Sequence, residues 1–580
     1  MRIDRRKNDR LGAHALFYAN NFLWKTIDGG IDWEQISPDL TRKTWTPPKS
    51  IGTYTGQPSA QPRQLGVIYT IGPSYRDINR IWVGTDDGLI QTTADGGKTW
   101  ADVTPPEMAP FMKVFMIDPG RFDALTAYAA VNTLRIDDMR PHVYRTHDGG
   151  KTWTEIVNGL PDGAAVSVVR EDPKKRGLLF AGSETQVYVS FDDGNHWQSL
   201  RLNMAPSSVR DIVIKDDDLV AATHGRGFWI LDDITPLRQI DMKTADADAV
   251  LFAPTTAWRV RWDTNSDTPL PPDEPTAANP PEGAILNYYL KAAASKPVMI
   301  EVLDSNSRVV RHYSSADPVA SIPDPSTSSL PLYWYRPPRG LSAAAGMHRF
   351  MWDVHYQPLS SRGQGGGLPS AAVPYNTAPA PTTPWVAPGT YTVKLTVDGR
   401  SYTQPITVQQ DPRVKTPTAA MQQVYNLTDA MYFGAVEAQS AAASLAAIRD
   451  QVAKLRPQAQ GASAQALADF DKKAEALQGA APGAGGRGAG GRGAGGRGGG
   501  VETAAPGTET LSSAGASLSG LMNSLQAADV QPTAVQLAAI TAARQSAAGV
   551  IARWTALKTT DLAALNATLK AAGLVEIRVQ

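Results

Sequence analysis

The chain contains no cysteine, which removes disulfides, thiolate nucleophiles and cysteine-held metals from its chemistry. At 580 residues and 42% hydrophobic it has material for several bridge-free cores, so the redox compartment stays open. It also lacks an apolar run of about 18 residues, which excludes a membrane-spanning helix of the usual kind. Net charge is missing as well: Lys plus Arg and Asp plus Glu each number 56, so nothing steers the chain toward nucleic acid or an anionic membrane. No phosphate-cradling glycine loop precedes a helix, no His-x-x-x-His or Glu-x-x-His pair marks a metal, and no Gly-x-Ser-x-Gly elbow occurs. Neither a cofactor nor a metal is therefore expected. Asp216, Asp217 and Asp218 offer calcium-type oxygens, but nothing in the spacing fixes a ligand set. The opening MRIDRRKNDRLGAHALFYANN is basic yet has no apolar centre or small-residue cleavage site, unlike a signal peptide.

What the chain does have is an internal repeat. The pattern Ser/Thr-x-Asp-x-Gly-x-x-Trp occurs four times, in KTIDGGIDW, TTADGGKTW, RTHDGGKTW and SFDDGNHW. It aligns Asp28, Asp95, Asp148 and Asp192 in one column, Gly30, Gly97, Gly150 and Gly194 in a second, and Trp33, Trp100, Trp153 and Trp197 in a third. Thr26, Thr93, Thr146 and Ser190 supply a hydroxyl column. Carboxylate and hydroxyl can accept from backbone N–H groups, glycine permits positive φ, and an indole can cover the loop. The expected result is a hairpin tip that locks itself, with the aspartates architectural and not catalytic. The aspartates are 67, 53 and 44 residues apart, bracketing the 40 to 50 of one four-stranded propeller blade.

The repeat resembles the Asp-box, or BNR, loop of sialidase-type β-propellers. SPDLTR after the first box and ATHGRGFWILDDITPLRQI after the last are similar to large bacterial sortilin-like and "glycosyl hydrolase" BNR proteins. The resemblance covers about residues 10 to 240. It implies radially arranged sheets with the boxes between third and fourth strands on the outer rim, and export to the periplasm or exterior.

Strand by strand, the second unit reads QLGVIYTIG, RIWVG and LIQTT, the third FMKVFMI, ALTAYAAV and HVYRT, and the fourth AAVSVVR, LLFAG and VYVSF. The last, SVRDIVI, LVAAT and FWILDDI, has no box. The first unit starts at LFYANNFLWKT with no strand expected upstream, so the reading is an incomplete propeller of about 4 to 5 blades over residues 1–240. It looks like a C-terminal fragment whose ring is completed by missing N-terminal blades or another chain. Residues 248–413 alternate in strand fashion between loops rich in proline, glycine, serine and threonine (262–284 and 357–388), with GTYTVKLTVDGRSYTQPITV a hairpin turning at Asp398-Gly399. An immunoglobulin- or fibronectin-like sandwich is expected there. Residues 416–580 are alanine-rich, and Leu445, Ile448, Val452 and Leu455, then Leu518, Leu521 and Leu525, predict a helical bundle. It is interrupted by a Gly/Arg-rich linker at 483–500 carrying Arg487, Arg492 and Arg497. Those three arginines lack interleaved aromatics and make no nucleic-acid footprint.

Chemistry is expected on the face opposite the boxes, where loops joining second and third strands converge. They carry Asn20 and Asn21; Asp86 and Asp87; Arg135, Asp137, Asp138 and Arg140; Glu184; and His224 and Arg226. In the resembled sialidases that face holds an arginine cluster, a tyrosine–glutamate nucleophile and an aspartate acid, but these do not map one by one onto this sequence. Asp86, Asp87 and Glu184 are the catalytic candidates for two-carboxylate glycoside hydrolysis, against a reading of Asp87-Gly88 as a turn. Arg135, Asp137, Asp138, Arg140, His224 and Arg226 are the ligand-binding candidates. The leading expectation is a non-catalytic scaffold taking a glycan, peptide or protein on this face, and the alternative is an exported glycoside hydrolase.

Overall fold

The computed structural model describes residues 2–7, 14–44, 49, 52–53, 66–261, 283–318, 324–328, 331–332, 340–359, 383–479 and 509–579. The Gly/Arg stretch 483–500 and most of the loops expected at 262–284 and 357–388 lie outside them. The chain divides into two compact units, Met1–Asp246 and Ala247–Gln580.

The first unit is a succession of five small antiparallel sheets. Sheet one holds β1 (Arg2–Lys7), β2 (His14–Ala19), β3 (Leu23–Thr26) and β4 (Glu34–Gln35). Sheet two holds β5 (Ile68–Pro73), β6 (Ile81–Thr85), β7 (Ile90–Thr93) and β8 (Ala101–Asp102). Sheet three holds β9 (Lys113–Pro119), β10 (Ala127–Asn132), β11 (His142–Thr146) and β12 (Thr154–Glu155). Sheet four holds β13 (Val166–Glu171), β14 (Leu179–Ser183), β15 (Val187–Ser190) and β16 (Gln198–Ser199). Sheet five has three strands, β17 (Ser208–Lys215), β18 (Asp218–His224) and β19 (Phe228–Leu231). Two one-turn helices, α1 (Thr235–Gln239) and α2 (Met242–Asp246), follow.

The first sheet corrects the sequence reading. Arg2–Lys7 pairs antiparallel with β2, with Ile3 opposite Leu16, so this sheet keeps an opening strand where none was expected. Sheet five does lack a fourth strand, as its missing box implied.

Successive sheets pack face to face, which explains why β6 and β10 are continuous apolar runs buried at every position and do not alternate. First strands neighbour one another from β5 to β9 to β13 to β17 and form the inside of the array. The two-residue fourth strands from sheet one to sheet four are exposed and form its rim. Each pair of successive sheets shares a core. Phe17 of sheet one shares a core with Val83 of sheet two, Trp82 with Ala129, Tyr128 with Ala181, and Phe180 with Ala221. Rings of the later sheet join these cores as well, Trp82 meeting Trp153 edge-on at 6.0 Å.

The second unit begins with a three-stranded and a five-stranded sheet. The first contains β20 (Ala249–Leu251), β22 (Ala284–Leu290) and β25 (Gly346–Trp352). The second contains β21 (Ala257–Arg259), β23 (Met299–Leu303), β24 (Val309–Ser314), β26 (Gly389–Val397) and β27 (Arg400–Gln410). The β26–β27 hairpin turns where the sequence placed it: Val397 faces Arg400, and Asp398 and Gly399 both have positive φ, at 48° and 87°. Five longer helices follow: α3 (Thr418–Leu455), α4 (Ala462–Gln478), α5 (Leu511–Leu525), α6 (Ala534–Ala556) and α7 (Leu562–Ala571). Thr510 and Thr533 cap α5 and α6, each accepting from the N–H three residues on. Both sheets and all five helices contribute to a single continuous core. Among the described residues no helix is long and apolar enough to cross a membrane.

Candidate ligand face and the repeated loops

The four repeated loops are built alike. In sheet two, the Thr93 hydroxyl donates to Asp95 Oδ1 at 2.8 Å and accepts the Gly97 N–H at 3.0 Å, while Asp95 accepts the Thr99 N–H and hydroxyl at 2.9 and 2.6 Å. Thr146, Asp148, Gly150 and Thr152 repeat this in sheet three. In sheet four the hydroxyl is Ser190 and the last position is His196, whose Nδ1 lies 2.6 Å from Asp192 Oδ2. The indoles then do something the sequence did not disclose. Trp100 Nε1 donates to the Ile36 carbonyl of sheet one, Trp153 to Val103 of sheet two, and Trp197 to Ile156 of sheet three. Each of these three loops thereby fastens its own sheet to the one before. Glycine is required for this approach: a Cβ on Gly97 would lie 2.5 Å from the Ile36 carbonyl oxygen, and one on Gly194 2.4 Å from Ile156 Cδ1.

Donated hydrogen bonds hold these carboxyls below the usual aspartate range. For Asp28 the Thr26 hydroxyl dominates, for Asp95 the Thr99 hydroxyl, and for Asp148, lowered to about 2, the Thr152 N–H. A depressed folded-state value gives stability that is complete above the unfolded value of about 3.9 and lost as pH falls through the folded one. The first unit should therefore lose urea resistance between about pH 4 and pH 2, and a Thr99→Val, Thr152→Val double variant should show a shallower loss. An unchanged slope in the double variant would remove these loops as its source.

The charges in the loops between second and third strands are committed to their own turns or to neighbouring sheets. Asp87 is buried: its Oδ1 accepts from the Thr85 hydroxyl at 2.5 Å and its Oδ2 from the Arg42 N–H at 2.8 Å. The Arg42 side chain donates to the Asp87 and Gly88 carbonyls. Asp87 is thus a turn residue that anchors the connection leaving sheet one. Asp86 accepts the Val67 N–H at 2.7 Å and pairs with Arg135 of the next sheet at 3.4 Å. Glu184 faces Arg210 of sheet five at 3.3 Å. Asn132 donates to Ser167 across the junction between sheets three and four.

Within the sheet-three loop, Asp138 binds Arg140 at 2.8 Å, and that bond holds its carboxyl far below the normal range. His142 lies 3.5 Å from Asp138 and 2.7 Å from Glu155. Asp137 ends the short helical turn Leu134–Ile136 with φ at 61°. His224 and Arg226 are exposed, and Arg226 donates its N–H to the Thr223 hydroxyl in a tight glycine turn. Asn21 bonds Asp39, and Asn20 caps its own turn. Asp217 is taken by Lys174 and Arg238 and Asp218 by the Asp233 N–H. Among the described residues no group of three or more His, Asp or Glu side chains could hold a metal ion.

Sequence reasoning missed the partners Arg42 and Arg210, and it missed an aromatic patch on the inner strands. Tyr69 on β5 and Phe115 on β9 stand 5.1 Å apart, with Lys113 Nζ 3.4 Å above the Tyr69 ring and 5.2 Å from that of Phe115. The signal was available, since both residues sit in strands whose other face is plainly core. Tyr69 is 44% exposed. Tyr128, by contrast, is no activated nucleophile: burial pushes its hydroxyl well above the ordinary value, and it donates to Asp193 at 2.6 Å.

No protein-family model matches the chain. It is similar to a xyloglucanase of Hypocrea jecorina (strain QM6a), 25% identical over 195 residues, covering 31% of this chain and 23% of that protein. The chain therefore spans less than a quarter of the length of this curated relative. Structural neighbours are β-propeller proteins. The GH74 enzyme of Niastella koreensis is 14% identical over 38% of this chain and 32% of its own, with a TM-score of 0.28. YCF48 bound to D1 peptide is 17% identical over 42% and 73%, with a TM-score of 0.27. The β-propeller domain of Cps50 (Swd1) from Myceliophteria thermophila is 8% identical over 41% and 68%, with a TM-score of 0.29.

Proposed function

We propose that the first unit is a non-catalytic propeller scaffold that binds a glycan chain on the face carrying Asp86, Arg135 and Glu184, with Tyr69 and Phe115 as stacking rings. The observation that carries this reading is the commitment of the loop carboxylates. Asp86, Asp87 and Glu184 are each engaged by the next sheet or by their own turn, whereas hydrolysis needs two carboxylates turned toward one glycosidic bond about 5 to 9.5 Å apart. An exposed tyrosine ring backed by a half-buried phenylalanine and a cation suits a sugar's C–H faces and hydroxyls. In this proposal the protein works outside the cytoplasm, the repeated loops are Asp-boxes of the sortilin-like kind, and the two sheets of the second unit form an immunoglobulin-like accessory module.

A second reading, a glycoside hydrolase, is favoured by the 195-residue likeness to a xyloglucanase. Xyloglucan is therefore the probe for both. With the full chain, calorimetric titration of xyloglucan oligosaccharide is expected to give saturable binding that Tyr69→Ala weakens about tenfold, the scale of one lost ring contact, without release of reducing ends. Turnover abolished by Glu184→Gln or Asp86→Asn would replace the scaffold reading with the hydrolase. Absence of both binding and turnover would remove glycans as the ligand.

A further inference from the structure

The turn that follows sheet three also seats sheet four. The Leu160 N–H donates to the Val157 carbonyl at 2.9 Å, and Gly159, third of these four residues, has φ at 95° while Asn158 keeps negative φ. That is a type II turn, whose third position glycine fills without strain. Trp197, from the repeated loop of sheet four, rests on it. The Trp197 N–H donates to the Asn158 carbonyl at 2.9 Å and its Nε1 to the Ile156 carbonyl at 2.8 Å. A Cβ on Gly159 would stand 2.3 Å from the Trp197 carbonyl oxygen. Leu160 and Trp197 are buried in one core. The turn from Val157 to Leu160 therefore carries part of the joint between these sheets.

Its two central residues are also reactive toward each other. Asn158-Gly159 is the one Asn-Gly pair in the chain, and both residues are exposed. Among the described residues nothing hydrogen-bonds the Asn158 carboxamide or takes the Gly159 N–H. Glycine has no side chain to shield its nitrogen. Loss of the Gly159 amide proton to hydroxide lets that nitrogen attack Asn158 Cγ. The new C–N bond forms, the Cγ–Nδ2 bond breaks, and Nδ2 leaves as ammonia with a proton from water. Water then opens the resulting cyclic imide at either carbonyl. One product is aspartate; the other is isoaspartate, in which the main chain runs through Cβ and Cγ and is longer by a carbon.

The joint controls this reaction. The imide ring contains the Asn158 carbonyl carbon, whose oxygen accepts from Trp197, and the nitrogen of Gly159, which is pressed against the Trp197 carbonyl. Closing the ring turns the Asn158–Gly159 peptide out of its place in the turn, so the sheet-four loop must first release it by local opening. Once isoaspartate has formed, the added main-chain carbon must fit a contact that has no room for a Cβ on the next residue.

We propose that Asn158-Gly159 is a self-modification site, converting spontaneously to isoaspartate at a pace set by how often the Trp197 loop opens, and that the conversion weakens the joint between sheets three and four.

The full chain, held for days in mildly alkaline buffer, is followed by peptide mass spectrometry and by methyl transfer to isoaspartate from an isoaspartyl methyltransferase. Isoaspartate should accumulate at Asn158 and do so faster as hydroxide concentration rises. Trp197→Phe removes the indole bond to the Ile156 carbonyl and should speed conversion about fivefold, the gain in opening when one hydrogen bond of ordinary strength is lost. Urea below the unfolding transition should speed it in the parent chain, a readout that stands even if Trp197→Phe does not fold. The aged chain should unfold at lower urea than freshly prepared Asn158→Asp, which has the added charge without the longer main chain. No isoaspartate at Asn158 under conditions where the denatured chain forms it there would overturn the site. A rate indifferent to both Trp197→Phe and urea would overturn control by the joint, and an aged chain as stable as Asn158→Asp would overturn the weakening.

Discussion

Replacing Trp197 by alanine is expected to destabilise the first unit by about 3–5 kcal/mol, the range for a large aromatic removed from a close-packed site. The indole is buried among Ile156, Leu160, Val166 and Tyr188, and its N–H satisfies the Ile156 carbonyl of the preceding sheet. Truncation therefore opens a cavity at a junction and takes away that carbonyl's indole donor in the same step. Trp33→Ala is the internal control. That indole occupies the same position in its loop but is exposed and bonds only its own Gly30 carbonyl, so the cost should stay below about 1 kcal/mol. Urea midpoints at constant slope, followed by far-UV circular dichroism because the substitutions remove a fluorophore, would compare them. Equal shifts for the two variants would mean that the tryptophans brace their own loops and do not join sheets.

The contrast between these two tryptophans also marks what a sequence of this kind discloses. Hydroxyl, carboxylate, glycine and indole recur at fixed offsets within nine residues, so the loop that they form is local and legible. The indole's partner lies 64, 50 or 41 residues away in three of the loops, on a carbonyl that has no sequence signature. The candidate face followed the same division. That Asp86, Asp87 and Glu184 fall in loops between second and third strands came from counting strands. That Arg135 and Arg210 meet two of these carboxylates came only from the register of neighbouring sheets. β1 escaped because RIDRRK carries one apolar residue among six and shows no alternation, its strand character resting on backbone pairing with β2. In the second unit α4 could have been found, since Leu467, Phe470, Ala474 and Leu477 keep the spacing of a buried helix face.

A second large effect is expected at Asp529, in the connection between α5 and α6. Its carboxylate accepts from Arg259 Nη2 at 2.7 Å, pairs with Arg261 Nε at 3.0 Å and takes a longer bond from Gln410 at 3.4 Å. Its carbonyl accepts from Thr416, and so one residue ties β21 and β27 to the start of the helical region. Arg259 is 1% exposed, lies over the rings of Trp385 and Tyr425 at 5.1 and 4.7 Å, and has no hydrogen-bond partner for Nε or Nη1. Burial already disfavours its charge. Asp529→Ala would leave that guanidinium with only aromatic faces for company, a situation that costs about 3–5 kcal/mol when one member of a buried pair is removed. Arg261 is less affected because it reaches solvent. Removing the cation together with its partner should then be milder: Arg259→Met combined with Asp529→Leu is expected to unfold at a higher urea concentration than Asp529→Ala alone. If Asp529→Ala unfolds within about 1 kcal/mol of the parent, or if the double variant is the weaker of the two, the buried charge is not what binds the sheets of this unit to its helices.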